Sequence, residues 1–205
     1  MFAIYNEQGR IFRNTLEEMY RIPLIRPMQA AGRVRQKDGE PQEAFRDYQT
    51  NEAINAYRQV ISAKSDQPIH HVYQIMKRPV ITAFEGSSLG ECYALLKSHN
   101  IKQLPVLSKD NQPMGLFTLD RLASRLLENG ETLAEWKSTP VSDLLTLPLI
   151  TADPLADIHR VAKVMGDRQL NCVPITNEAD MFVGIVTRTD IVLAVANNPG
   201  MTIWA

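Results

Sequence analysis

The chain has 205 residues, enough for one large domain or two small ones, and its 44% hydrophobic content is that of a globular protein with a buried core. Its 22 basic and 23 acidic side chains nearly cancel, so no overall field recruits nucleic acid or an anionic membrane, and any partner must be recognised locally. The start MFAIYNEQGR lacks a basic run followed by an apolar one, no stretch approaches the roughly 20 apolar residues of a membrane span, and Cys92 and Cys172 are too few for a disulfide framework or a closed zinc site, so the chain reads as cytoplasmic with two buried thiols.

In chain order, FAIYNEQGRIF predicts a hairpin around a Gly-bearing turn, and Thr15 opens a short helix over LEEMY. The following IRPMQAAGRVRQKDGEP is rich in turn and basic residues; Arg26, Arg33, Arg35 and Lys37 suit either a solvated linker or an anionic partner. EAFRDYQTNEAINAYRQVISA then carries helical apolar spacing. Residues 1–67 read as an N-terminal extension that packs on the rest of the chain or serves as an arm for an effector. His70 and His71 are adjacent, so in an extended chain they face opposite ways and cannot chelate; a solvated helix entry is their expected role.

Beyond this point the chain repeats itself. With an offset of 69 residues, Val72 meets Val141, Pro79 meets Pro148, Ile81-Thr82-Ala83 meets Ile150-Thr151-Ala152, Pro105 meets Pro174, Gly115 meets Gly184 and Thr118 meets Thr187, all without a gap. Each unit is expected to be one supersecondary element that buries a face against the other. VITA and LITA predict a first strand in each. Apolar positions Leu89, Cys92, Tyr93 and Leu96, and then Leu155, Ile158, Ala162 and Met165, predict a helix, with Ser87 and Asp153 as N-caps and Pro154 at the first helical position. KQLPVL and NCVPIT, then PMGLFT and MFVGIVT, predict two further strands around SKDNQ and NEAD, and a last helix begins near Asp120 or Thr189. The fold class is α/β (α+β): a βαββα unit over residues 68–135, a second over 136–197, and a tail at 198–205.

The ordered set VYQIMKRPVITA, HNIKQLPVL, GLFTLD, then VSDLLTLPLITA, RQLNCVPIT, GIVTRTD, resembles a tandem pair of CBS domains, the Bateman module, over about residues 68–197. The resemblance implies a pseudo-twofold pair that often forms a disk-shaped homodimer. It also implies an adenosine-containing regulatory ligand (AMP, ADP, ATP, S-adenosylmethionine or NAD) whose occupancy is signalled to an effector protein. Leu122, Leu126, Ile191 and Val195 are the apolar positions expected to be exposed for dimerisation. In the family a threonine ends the third strand, and an aspartate three residues later, in the first turn of the next helix, joins it on the ribose hydroxyls. Thr187 and Asp190 fit; an ionised carboxylate accepts from two vicinal hydroxyls, and positions i and i+3 share one side of a helical turn. The same spacing is also that of a capping box, which stabilises a helix start with no ligand.

The first unit departs from this pattern. Thr118 is present, but Asp120 comes one residue early and Arg121 takes the carboxylate's place; one helical position is a turn of about 100°, so the two sites are not equivalent. By the resemblance Thr151 lies near the base or ribose, unless it merely ends its strand. Cys172, Val173 and Pro174 border the adenine with backbone groups, unless they form an ordinary buried strand. Asp153 fits a cap better than a contact. A phosphate would need a cation: Arg188 leads, followed by Arg121, Lys102, His99 and Arg168. The sequence carries no Gly-rich phosphate loop, nucleophile elbow or catalytic His, Cys and acid cluster, so neither enzyme activity nor a metal site is expected. Three classes stand: a ligand-sensing regulatory module, a ligand-free scaffold of the same fold, and an enzyme with its chemistry in the N-terminal segment.

Overall fold

The computed structural model describes residues 1–22, 70–129 and 133–197. The expectations for Arg26, Arg33, Arg35, Lys37, the helix of residues 43–63 and the tail at 198–205 lie outside the described residues. The hairpin is β1 (Phe2–Asn6) and β2 (Gly9–Asn14), its turn closed by Gly9 at φ 105°, a conformation that disfavours a side chain. Helix α1 (Leu16–Arg21) follows, with the Thr15 hydroxyl accepting from the Glu18 amide as cap.

The first repeat holds β3 (Ala83–Phe84), α2 (Leu89–Ser98), β4 (Gln103–Leu107), β5 (Pro113–Thr118) and α3 (Leu119–Asn129), and α4 (Leu133–Ser138) comes between the repeats. The second holds β6 (Leu149–Ala152), α5 (Ile158–Asp167), β7 (Cys172–Thr176), β8 (Phe182–Thr187) and α6 (Arg188–Asn197). The predicted βαββα order holds in both. Three local expectations need correcting. In the first repeat VITA gives only the two-residue β3, displaced toward Phe84. The α2 cap is Ser88, in a reciprocal capping box with Glu91, while the Ser87 hydroxyl accepts from Phe84. In the second repeat the cap is Asp157: Asp153 and Pro154 form a turn in which the Asp153 carboxylate accepts from the Leu155 amide, and Leu155, outside the helix, is 52% exposed. The chain crosses this turn before winding, because Asp157 satisfies two free amides, those of His159 and Arg160.

Strands order as β3-β4-β5 in one sheet and β2-β1-β6-β7-β8 in the other. The N-terminal hairpin thus adds to the edge of the second repeat's sheet, β1 running antiparallel to β6 with Ala3 opposite Thr151 and Tyr5 opposite Leu149. A polar clamp fixes it: Tyr5 Oη donates to Asp180 Oδ1 at 2.9 Å, Arg10 pairs with the same carboxylate, and Arg13 reaches Asp180 at 3.1 Å and Asp153 at 3.4 Å. Behind it, α1 packs Leu16 and Met19 into the core of the second repeat.

Three apolar clusters result. Leu89, Leu96, Leu104, Val106 and Phe117 centre the first repeat; Ile158, Val161, Val164, Val173, Ile175 and Val186 centre the second. Ala3, Tyr5, Leu107, Leu116, Leu149, Cys172 and Ile185 fill the space between the sheets. Full burial of one such aliphatic side chain is worth about 1.5–3 kcal/mol. Leu122 and Ile191, expected to be exposed for dimerisation, are only 3% and 8% exposed because they face their own repeats' cores; Leu126 and Val195 are half-buried. On the same helices the exposed apolar residues are Leu127, Val192 and Leu193.

The repeats are joined crosswise. Lys77, ahead of the first repeat's sheet, bridges Ile185 of β8, and its equivalent Thr146 bridges Leu116 of β5, with amide-to-carbonyl distances of 2.9 and 2.8 Å. The preceding residues do the same: a Cβ on Gly115 would lie 2.9 Å from Leu145 Cβ, and one on Gly184 2.8 Å from Met76 Sδ. The repeated glycines exist because the other repeat's lead segment lies against them. Further in, Val72 donates to Ala156 and, equivalently, Val141 to Ser87.

Candidate ligand cleft

The C-terminal end of β8 turns into α6 through Thr187, and the first helical amides, which have no partner within the helix, must be satisfied from outside it. Asp190 Oδ2 accepts from the Thr187 amide at 2.8 Å and from its hydroxyl at 2.5 Å, and the Asp190 amide donates back to the Thr187 hydroxyl at 3.4 Å. This is a closed capping box. The other oxygen, Oδ1, meets Lys77 Nζ at 3.0 Å, in a pair whose carboxylate is 5% and whose lysine is 61% exposed. Buried carboxylates are tolerated when charge and hydrogen bonds compensate them, and this one has both. Lys77 belongs to the first repeat, Asp190 to the second, and the Lys77–Ile185 bridge sets them face to face.

Around this pair the predicted residues distribute unevenly. Cys172 lies opposite Thr187 in the β7–β8 register, with Val173 opposite Val186 and Pro174 opposite Ile185, so the strand expected beside a base does border Thr187. Its side chains are buried; Val173 faces the core, and burial pushes the Cys172 thiol up to about 12, leaving it a neutral packing group. Cys92 is likewise buried, its thiol pushed up to about 11. Arg188 is exposed, with its amide donating to Asn171 and its Nε to the Leu170 carbonyl at 2.8 Å, which ties the guanidinium beside the start of β7.

Thr151 does not join them. It is fully buried in β6 between β1 and β7, with Ala3 of β1 opposite it, and its hydroxyl lies 3.0 Å from that of Thr176. Asp153 serves the clamp and its turn. Arg168 lies with its guanidinium 5.4 Å from the Tyr20 ring and is engaged with α1. His99 ends α2 and is exposed. His71 caps a short 3-10 turn over Val72–Gln74, its Nδ1 3.0 Å from the Leu155 carbonyl and its ring stacked on Tyr73; it is half-buried there, and His70 is exposed.

The first repeat's counterpart is built differently. The Thr118 hydroxyl accepts from the Arg121 amide at 3.3 Å, Asp120 and Arg121 are exposed, and Lys102, also exposed, accepts from Leu119 through its carbonyl. Where Lys77 faces Asp190 in one cleft, the equivalents in the other are Thr146 and Arg121, and the Thr146 hydroxyl is a buried atom with no hydrogen-bond partner. Sequence reasoning missed Lys77. Its signal was present in the repeat itself, since Lys77 aligns with Thr146, but the crossing of lead segments was needed to place it opposite Asp190. Among the described residues no group of three or more His, Cys, Asp or Glu could hold a metal ion, and no helix is long and apolar enough to cross a membrane.

Comparison with known proteins matches the family model described as CBS domain to residues 72–128 and 141–197. An L-aspartate semialdehyde sulfurtransferase of Methanocaldococcus jannaschii is 32% identical over 60% of this chain, which covers 23% of that protein's length. A CBS domain-containing protein of Bacillus subtilis is 25% identical over 62% of this chain and 86% of its own. Among solved structures, a CBS domain pair in complex with 5'-methylthioadenosine and S-adenosyl-L-methionine superposes with a TM-score of 0.56 at 28% identity, over 63% of this chain and 98% of that one.

Proposed function

The chain belongs to the CBS domain family, and from that premise we propose that it is a non-catalytic regulatory module that binds an adenosine-containing ligand and signals its occupancy to a partner protein. The observation carrying this reading is Asp190: a carboxylate 5% exposed, fixed in orientation by Thr187 and placed at the seam of the two repeats, where a ribose diol would touch both. Thr187, Asp190, Arg188 and the backbone of Cys172, Val173 and Pro174 make the ribose, phosphate and base contacts, and Lys77 joins them. The Thr118 and Arg121 cleft lacks the carboxylate and does not hold a ribose in the same way. Support comes from the 28%-identical CBS pair that holds 5'-methylthioadenosine and S-adenosyl-L-methionine.

The effector contact and a homodimer belong to the same proposal, with Leu127, Val192 and Leu193 in place of the buried Leu122 and Ile191 as the apolar surface to be covered. A thermal-shift panel of AMP, ADP, ATP, S-adenosylmethionine and NAD tests it. A ligand at 100 times its Kd adds about 2.7 kcal/mol of stability. A flat response to all five favours the scaffold reading, which has its own observation: the capping box and the Lys77 pair occupy the Asp190 carboxylate without any ligand.

A further inference from the structure

We propose that Lys77 makes the Asp190 cleft selective for adenosine carrying a 5'-phosphate over adenosine carrying a thioether or a sulfonium; this rests on the adenosine-binding reading above. Asp190 Oδ2 is committed to the Thr187 amide and hydroxyl, so a ribose diol has Oδ1 to bind, and Oδ1 is where the Lys77 ammonium sits at 3.0 Å. Ligand entry therefore displaces a lysine from a carboxylate. Lys77 is the partner that can move: its side chain is 61% exposed against 5% for Asp190, and its main chain is pinned to Ile185 by the 2.9 Å amide bond, so the ammonium swings on its stem and stays at the mouth of the cleft.

Displacement separates an ion pair, and the two ends are compensated differently. The carboxylate recovers two hydroxyl donors from the diol. The ammonium recovers an anion only if the ligand brings one, because charge-assisted contacts to phosphate are roughly twice as strong as neutral ones. A thioether offers it no anion, and S-adenosyl-L-methionine sets a sulfonium and an ammonium against a single carboxylate, a net positive charge brought beside Lys77 and the exposed Arg188. The other cleft supplies an internal contrast. With Thr146 and Arg121 at the equivalent positions it has neither the carboxylate nor the ion pair to exchange.

The experiment is calorimetric titration of the full chain with AMP, 5'-methylthioadenosine and S-adenosyl-L-methionine, for the parent, Lys77→Met and Asp190→Asn. Melting curves first establish that each variant is folded. The parent should prefer AMP over 5'-methylthioadenosine by about tenfold or more, with the preference shrinking as salt rises, and Lys77→Met should cut that ratio by about tenfold. Asp190→Asn should weaken both ligands while keeping their ratio, which separates selection by charge from holding of the sugar. A ratio untouched by Lys77→Met, or a parent that takes S-adenosyl-L-methionine more tightly than AMP, overturns the role of Lys77 and leaves the adenosine site standing. A parent that binds none of the three overturns the adenosine reading and the selectivity with it.

Discussion

At the scale of single residues, Asp190 and Asp120 are two acids near two equivalent helix starts with opposite surroundings. Asp190 is buried and fixes the Thr187 turn, whereas Asp120 is exposed. Asp190→Ala should lower stability in urea by about 1–2 kcal/mol through loss of the cap. It should also weaken adenosyl-ligand affinity by about 1.5–3 kcal/mol in calorimetry. Asp120→Ala should change stability by no more than about 0.5 kcal/mol and leave binding near the parent value. Equal losses would mean that Asp120 reaches the sugar after all. The glycines give a second contrast. Gly115→Ala drives a methyl to 2.9 Å from Leu145 Cβ, an atom fixed to its backbone, whereas at Gly184 the nearest atom, at 2.8 Å, is the movable Met76 Sδ. Overpacking costs about 1–3 kcal/mol, and denaturant midpoints should place Gly115→Ala at the upper end and Gly184→Ala below it.

At the scale of elements, the N-terminal hairpin is the part whose local form and packing on the rest of the chain were legible and whose partner strand was not. Alternation and the turn glycine announced two strands, and Thr15 announced α1, because these signals lie within a few residues of one another. Pairing of β1 with β6 joins residues about 150 positions apart, and a partner strand leaves no mark on the period of either. Thr151 shows the consequence: its place in LITA suited a ligand contact, and β1 pairs alongside it and leaves it wholly buried. The β8-to-α6 turn, by contrast, was legible in full because a capping box is a three-residue event. Its ion pair was not, since Lys77 comes from the other repeat. The hairpin also predicts an alkaline response. Burial, then the hydrogen bond to Asp180, pushes the Tyr5 phenol from 10.0 up to about 12. Folding therefore favours the protonated phenol: below pH 10 its contribution is complete, between about 10 and 12 the unfolded chain ionises first and stability falls, and above 12 the contribution is gone. Melting temperatures from pH 9 to 12 should drop less steeply in Tyr5→Phe than in the parent. Parallel slopes would mean that Tyr5 is not the group responsible.

At the scale of the whole molecule, assembly and the crossed bridges govern behaviour together. If Leu127, Val192 and Leu193 are covered by a second copy, light scattering should give twice the chain mass, and Leu193→Asp should bring it to the monomer by placing a charge in an apolar contact. A parent of monomer mass would remove the dimer. Within one chain, cutting the connection at residues 130–132 should leave the halves associated, since each repeat keeps the other's lead segment against its glycine strand; native mass spectrometry after cleavage reads this directly. A lone repeat of this kind would present a strand with nothing lying on its glycine and a lead segment with nowhere to lie, both cured when two copies exchange those segments. The two copies in this chain are thus mutually dependent. The two halves differ at the first turn of their last helices, aspartate in one and arginine in the other, and keep the same handshake.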